Sequence, residues 1–182
     1  MRNGIDLEGL GAARDAISET PSAGIATYGV DLTWHQGVKI EAQATGIIVG
    51  QESIPRNFKW TVDEPPQLLG ESSGPTPQEY LMSGVGACIM VGFVVNASVK
   101  GIDLRSLKIR MSGGLDLAGF LNLREDAEVK MQGLDYEIEV DCDASAEALE
   151  EVADAALNFS PNAMTVKNGI PISGRLKVMA TG

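Results

Sequence analysis

Among the side chains that could do covalent or metal chemistry are the thiols of Cys88 and Cys142 and the single imidazole of His35. Cys88 lies in an uncharged stretch running from Tyr80 to Val99. Two readings of such a thiol stand side by side. Free cysteine is often a small apolar core residue. Alternatively, its thiolate is a nucleophile that peroxide oxidises to sulfenic acid. Burial alone raises a thiol pKa, and a helix dipole fades beyond the first turn. Reactivity at Cys88 therefore requires a cation delivered by tertiary or quaternary contacts. Cys142 falls on the apolar side of an alternating run and reads as core packing. One histidine excludes a multi-His metal site, and His35 falls in an expected turn, which leaves no base for a Ser-His-Asp or Cys-His arrangement. No metal site and no cofactor are expected.

The element that must position Cys88 is a helix with a sharp start. Thr76-Pro77-Gln78-Glu79 reads as a capping box with proline at the first helical position. In that reading Glu79 reaches back to the backbone of Thr76 and has a structural task. Residues 84, 88, 92 and 96 are Gly, Cys, Gly and Asn, a row of small side chains four apart that lets another helix cross closely.

Around this helix the chain alternates with period two, as strands with one wet face do. Tyr28, Val30, Leu32 and Trp34 form one run; Val38, Ile40, Ala42 and Ala44 a second; Phe58, Trp60 and Val62 a third. His35-Gln36-Gly37 is the turn expected between the first two. After the helix, Leu107, Ile109 and Met111 alternate with Ser106, Lys108 and Arg110. Leu134, Tyr136, Ile138, Val140 and Cys142 then alternate with acids. The acidic face is expected beside the basic one, because opposite charges across strands help modestly. Gly113, Gly114 and Gly119 read as turn or bulge glycines. Ser145 caps a further helix with Leu149, Val152, Ala153 and Ala156 on one stripe, and Ile172, Leu176 and Val178 suggest a last strand. With a short helix over residues 6–18 ended by Pro21, the order is βββ-α-ββ-α-β after an N-terminal helix. That is an α+β class. The domain reading is an N-terminal helical extension over 1–22 and one domain over 23–182.

Composition narrows the function classes. The net charge of −11 argues against nucleic acid and against anionic membrane surfaces. The start, Met1-Arg2-Asn3-Gly4-Ile5-Asp6, has no apolar signal region, and two cysteines 54 positions apart make no disulfide framework. A cytoplasmic location with reduced thiols is the expectation. The uncharged stretch is long enough to span a bilayer. Its Ser83, Gly84, Gly86, Gly92, Asn96 and Ser98, and the half-buried strands flanking it, favour a helix buried in a soluble protein.

The segments Gly74-Pro-Thr-Pro-Gln-Glu-Tyr-Leu81, Gly86-Ala-Cys88 and Lys100-Gly-Ile-Asp-Leu104 resemble the OsmC/Ohr family of osmotically inducible and organic-hydroperoxide-resistance proteins. Asp63-Glu-Pro-Pro66 and Leu115-Asp-Leu-Ala-Gly-Phe-Leu121 are similar to one OsmC-like subgroup. The resemblance covers roughly residues 25–180. It implies an intertwined homodimer with long central helices back to back, wrapped by sheets from both chains, with Gly84, Cys88 and Gly92 at that seam. It also implies reduction of organic hydroperoxides by a thiolate, with a Glu and an Arg orienting the thiol and a second Cys resolving it. Cys88 matches the peroxidatic position. The Glu position carries Gln78, with Glu79 one residue later, and the resolving position is Ser160, before Pro161. Arg56 is the candidate arginine. Two functions follow: a one-cysteine thiol peroxidase, or a relative that binds an apolar small molecule in a dimer pocket without turnover.

Overall fold

The structure, a computed structural model, describes residues 1–179. Helix α1 (Leu7–Glu19) starts at Asp6, whose carboxylate accepts from the backbone N–H groups of Glu8 and Gly9 at 3.2 and 3.1 Å. Strands β1 (Ala26–Gln36) and β2 (Lys39–Val49) form an antiparallel hairpin. The turn is Gly37-Val38, with Gly37 at φ +55°, a conformation open to glycine. His35 therefore belongs to β1 and not to the turn. Strands β3 (Glu52–Ile54) and β4 (Lys59–Val62) both pair with the far edge of β2. The sheet thus has four strands where three are expected, because three residues of β3 are too few to show an alternation.

Trp34 stands opposite Ile40, Leu32 opposite Ala42 and Val30 opposite Ala44. Ile40 and Ala42 face Val62 and Trp60 on the other side. These rows make one apolar face. Its β4 side is covered, and Ala42 and Val62 are buried. Its β1 side is open, with Trp34 69% and Leu32 66% exposed.

Helix α2 (Pro77–Val99) lies on a second antiparallel sheet of β5 (Leu104–Gly114) and β6 (Gly133–Cys142). The expected charge complementarity holds. Lys108 faces Glu139 and Arg110 faces Glu137, each pair at 3.4 Å, and Arg105 holds Asp141 at 2.6 Å and Asp143 at 2.8 Å. Exposed pairs of this kind contribute about 0–1 kcal/mol each. Apolar burial contributes more, roughly 1.5–3 kcal/mol for each large side chain. Ile89, Phe93 and Ala97 of α2 are buried with Val152 and Ala156 of α4 (Ala146–Asn158) and Ala163 of α5 (Pro161–Asn168), over Leu107, Ile109, Ile138 and Val140. The expected stripe on α4 is the one that faces this core. By length and composition α2 could cross a membrane; here β5, α4 and α5 take up one side of it.

Further sequence expectations need correction. Residues 170–179 form no strand among the described residues, and Ile172 is 96% exposed. An alternating segment becomes a strand only where a ladder partner is available, and none of the described residues pairs with this one. Helix α5 occupies Pro161–Asn168, with Ser160 as its cap. Gly113 and Gly114 stay in register with Leu134 and Gly133 with no bulge, and Gly119 is buried in the short helix α3 (Leu117–Phe120).

Candidate functional site

The capping box forms as expected. The Thr76 backbone N–H donates to Glu79 Oε2 at 2.7 Å, and the Glu79 N–H donates to Thr76 Oγ1 at 3.2 Å. The loop that delivers this cap is tied by a buried carboxylate whose part the sequence does not announce. Asp63 is 1% exposed, and its carboxylate accepts from the backbone N–H groups of Glu64 (2.9 Å), Glu71 (3.1 Å) and Ser73 (2.9 Å) and from the Ser73 hydroxyl (2.8 Å). The Ser73 bonds foremost, joined by the Glu64 and Glu71 amides, lower its pKa to about 2 against the opposing effect of desolvation. The Asp63 N–H in turn donates to Pro75 O at 3.2 Å. A β-carbon on Gly74 would collide with the Thr61 carbonyl, which explains a glycine at that point. Tyr80 then locks the helix to the first sheet. Its hydroxyl donates to Thr61 O at 2.7 Å, and its ring meets Trp60 at 6.3 Å between centroids.

Glu64 adds a second unforeseen carboxyl. Its Oε2 is buried without a hydrogen-bond partner among the described residues. Desolvation first, then the charges of Asp63 and Glu79, push its pKa above the usual carboxylate range. For Glu64 the available signal was its place before Pro65-Pro66: an acid directly ahead of a rigid turn at the foot of an apolar helix.

Cys88 is half-buried. The residues one turn before and after it show where it points. A β-carbon on Gly84 would lie 3.6 Å from Asn162 Nδ2, and one on Gly92 would lie 3.3 Å from the Ala156 α-carbon. Asn162 also donates to the Gly84 carbonyl at 2.8 Å. The small row does admit a crossing helix, but the visitors are α4 and α5 of the same chain. The corner between those helices is Ser160, 2% exposed, whose hydroxyl accepts from the Ala163 N–H at 3.2 Å. The face of α2 that stays open carries Ser83, Ala87 and Val91.

The other candidates do not meet the thiol within one chain. Glu79 is nine residues before Cys88, which on an α-helix is roughly 14 Å along the axis and about 180° around it. Gln78 is about 15 Å away by the same geometry. Arg56 lies between β3 and β4, with its guanidinium 4.5 Å from the centre of the Phe58 ring. Among the described residues no hydrogen bond or ion pair joins it to Cys88, Gln78 or Glu79. Cys142, half-buried, ends β6 opposite Leu104. No cluster of three or more metal-ligating side chains occurs among the described residues.

A family model described as OsmC-like protein matches residues 70–174. No curated protein matches the chain in sequence. In structure, the chain is similar to an OsmC-like protein from Mycoplasma pneumoniae, with TM-score 0.63 and 18% identity over 79% of this chain and 89% of the other. An OsmC-like protein of unknown function from Vibrio cholerae gives TM-score 0.62 at 13% identity, over 79% and 95%. A third, from Legionella pneumophila, described as an organic hydroperoxide resistance protein OsmC and predicted redox protein, gives 0.56 at 16%, over 78% and 89%. At these identities the likeness is one of fold.

Proposed function

The chain belongs to the OsmC-like family, and on that premise we propose that it is a thiol-dependent organic hydroperoxide reductase with Cys88 as its single peroxidatic cysteine. The observation that carries this reading is the place of Cys88: half-buried, on the face of α2 turned to the α4–α5 corner, with Ser160 buried there. The Cys88 thiolate attacks the distal oxygen of ROOH. The O–O bond breaks, the alkoxide takes a proton and leaves as ROH, and sulfur becomes sulfenic acid. With Ser160 at the corner, resolution falls to an external thiol. One R′SH displaces water to give a mixed disulfide, and a second releases Cys88 and R′SSR′. A cytoplasmic setting keeps such thiols reduced.

The working unit of this proposal is a homodimer. Supporting it are the open apolar face of β1, the unpaired 170–179 segment and the uncovered Ser83–Ala87–Val91 stripe, with Val91 64% exposed. Exposed apolar surface on this scale marks an interface. The second copy is also where we look for the cation that a reactive thiol requires, with Arg56 as candidate.

The test is thiol titration. Reduced protein should lose its Cys88 thiol in proportion to added cumene hydroperoxide, and Cys88→Ser should abolish the loss. A thiol that survives millimolar peroxide would overturn the reading. Gln78 and Ser160, at the positions of the family's Glu and resolving Cys, favour a second reading in that event: a relative that binds an apolar molecule without turnover.

A further inference from the structure

Beside α2, on a flank that Cys88 does not line, lies a cavity of about 640 Å³. This falls within the roughly 300–1,000 Å³ of small-molecule sites. Its floor is apolar. Val85 and Ile89 of α2 are 5% and 1% exposed, and Met111 of β5 and Leu134 of β6 close the sheet side. Its polar lining is uneven. Lys130 and Lys167 line it, and no Asp or Glu does, in a chain with 25 acids against 14 Lys and Arg. Lys130 is held by Glu128 at 3.0 Å, whereas Lys167, in the last turn of α5, has no ion pair among the described residues.

An apolar cavity with two lysines and no acid among its lining residues, in an otherwise acidic protein, selects one kind of guest: an apolar chain ending in an anion. The apolar part gains by leaving water, and the anion finds charge-assisted hydrogen bonds at lysine that the rest of the surface offers sparingly. A cationic amphiphile meets repulsion at the same place. An alcohol of equal chain length keeps the apolar gain and loses the charged one. We propose that this cavity is a binding site for an unbranched acyl carboxylate, with the chain against Val85, Ile89, Met111 and Leu134 and the carboxylate towards Lys130 and Lys167. The site is independent of the redox reading, since none of its residues takes part in the thiol chemistry.

The experiment is calorimetric titration of the full chain with dodecanoate, dodecanol and dodecyltrimethylammonium, each below its micelle concentration. Dodecanoate should saturate at a single molecule per chain and bind more tightly than the other two. Lys130→Gln with Lys167→Gln should weaken dodecanoate about tenfold or more while leaving dodecanol unchanged. Val166→Trp, at the half-exposed rim of the cavity, should block both. Cys88→Ser should bind dodecanoate as the parent does, which separates this outcome from any failure of peroxide chemistry. No binding, equal binding of the cationic amphiphile, or dodecanoate affinity untouched by the lysine variant overturns the proposal. Occlusion of the cavity by a second copy gives the first of these results. The lysine variant carries the test alone should Val166→Trp lose its fold.

Discussion

Gly92 and Ala156 touch at the crossing of α2 and α4: a β-carbon on Gly92 would sit 3.3 Å from both the Ala156 α-carbon and its carbonyl oxygen. The contact fixes the depth to which α4 settles on α2, and with it the place of the Ser160 corner. Gly92→Leu should therefore overpack the crossing and destabilise the fold by about 1–3 kcal/mol. Urea denaturation of the two proteins measures it; an unchanged midpoint would show that α4 stands off further than this contact requires.

The same corner predicts a disulfide. In Ser160→Cys a thiol replaces the buried hydroxyl that caps α5, at the cost of roughly 0.5–2 kcal/mol for the lost cap. One equivalent of hydroperoxide should then join Cys88 and the introduced thiol in an intramolecular disulfide, visible as the loss of two thiols and a mass lower by two hydrogens. Persistence of both thiols after Cys88 is shown to oxidise would place the corner out of its reach.

Val91 tests the assembly. It lies on the open stripe of α2, 64% exposed and outside the buried core cluster of its own chain. Val91→Arg should leave the far-ultraviolet circular dichroism intact and halve the mass seen by light scattering. A parent protein that is already monomeric would count against the dimer.

Asp63 and Glu64 predict opposite responses to pH. Asp63 titrates at about 2 in the fold against 3.8 ordinarily, so its contribution is complete above about pH 4 and fades as the pH falls towards 2. Asp63→Asn should lower the melting temperature at pH 7 and flatten the acid limb between pH 4 and 2. Glu64 has a raised pKa, so its ionisation opposes folding as pH rises through that value. Glu64→Gln should raise the melting temperature at pH 7 and change it less at pH 4. A gain no larger at pH 7 than at pH 4 would argue that Oε2 finds a cation in the assembled protein.

Much of this was legible because it is local. The Thr76–Glu79 capping box depends on four consecutive residues. That the basic face of β5 lies beside the acidic face of β6 follows from period-two alternation in two neighbouring strands, while the pairs Lys108–Glu139 and Arg110–Glu137 are set by the register. The stripe on α4 and the α+β class follow from periodicity alone. Asp63 was not legible in this way, since its partners Glu71 and Ser73 approach only when the loop closes on itself.

The sequence by itself determined that a capped, apolar helix carries the one thiol worth testing. Which face of that helix the thiol occupies was decided by the tertiary structure. Ser83–Ala87–Val91 and Gly84–Cys88–Gly92 are both uncharged rows, about 100° apart around the helix; the glycines mark the second as a row where a helix can cross, but which helix arrives there is not written locally. Packing decides it: only the glycine row lets the backbone of α4 approach to contact distance, so that row takes the helices of its own chain. The other is left open.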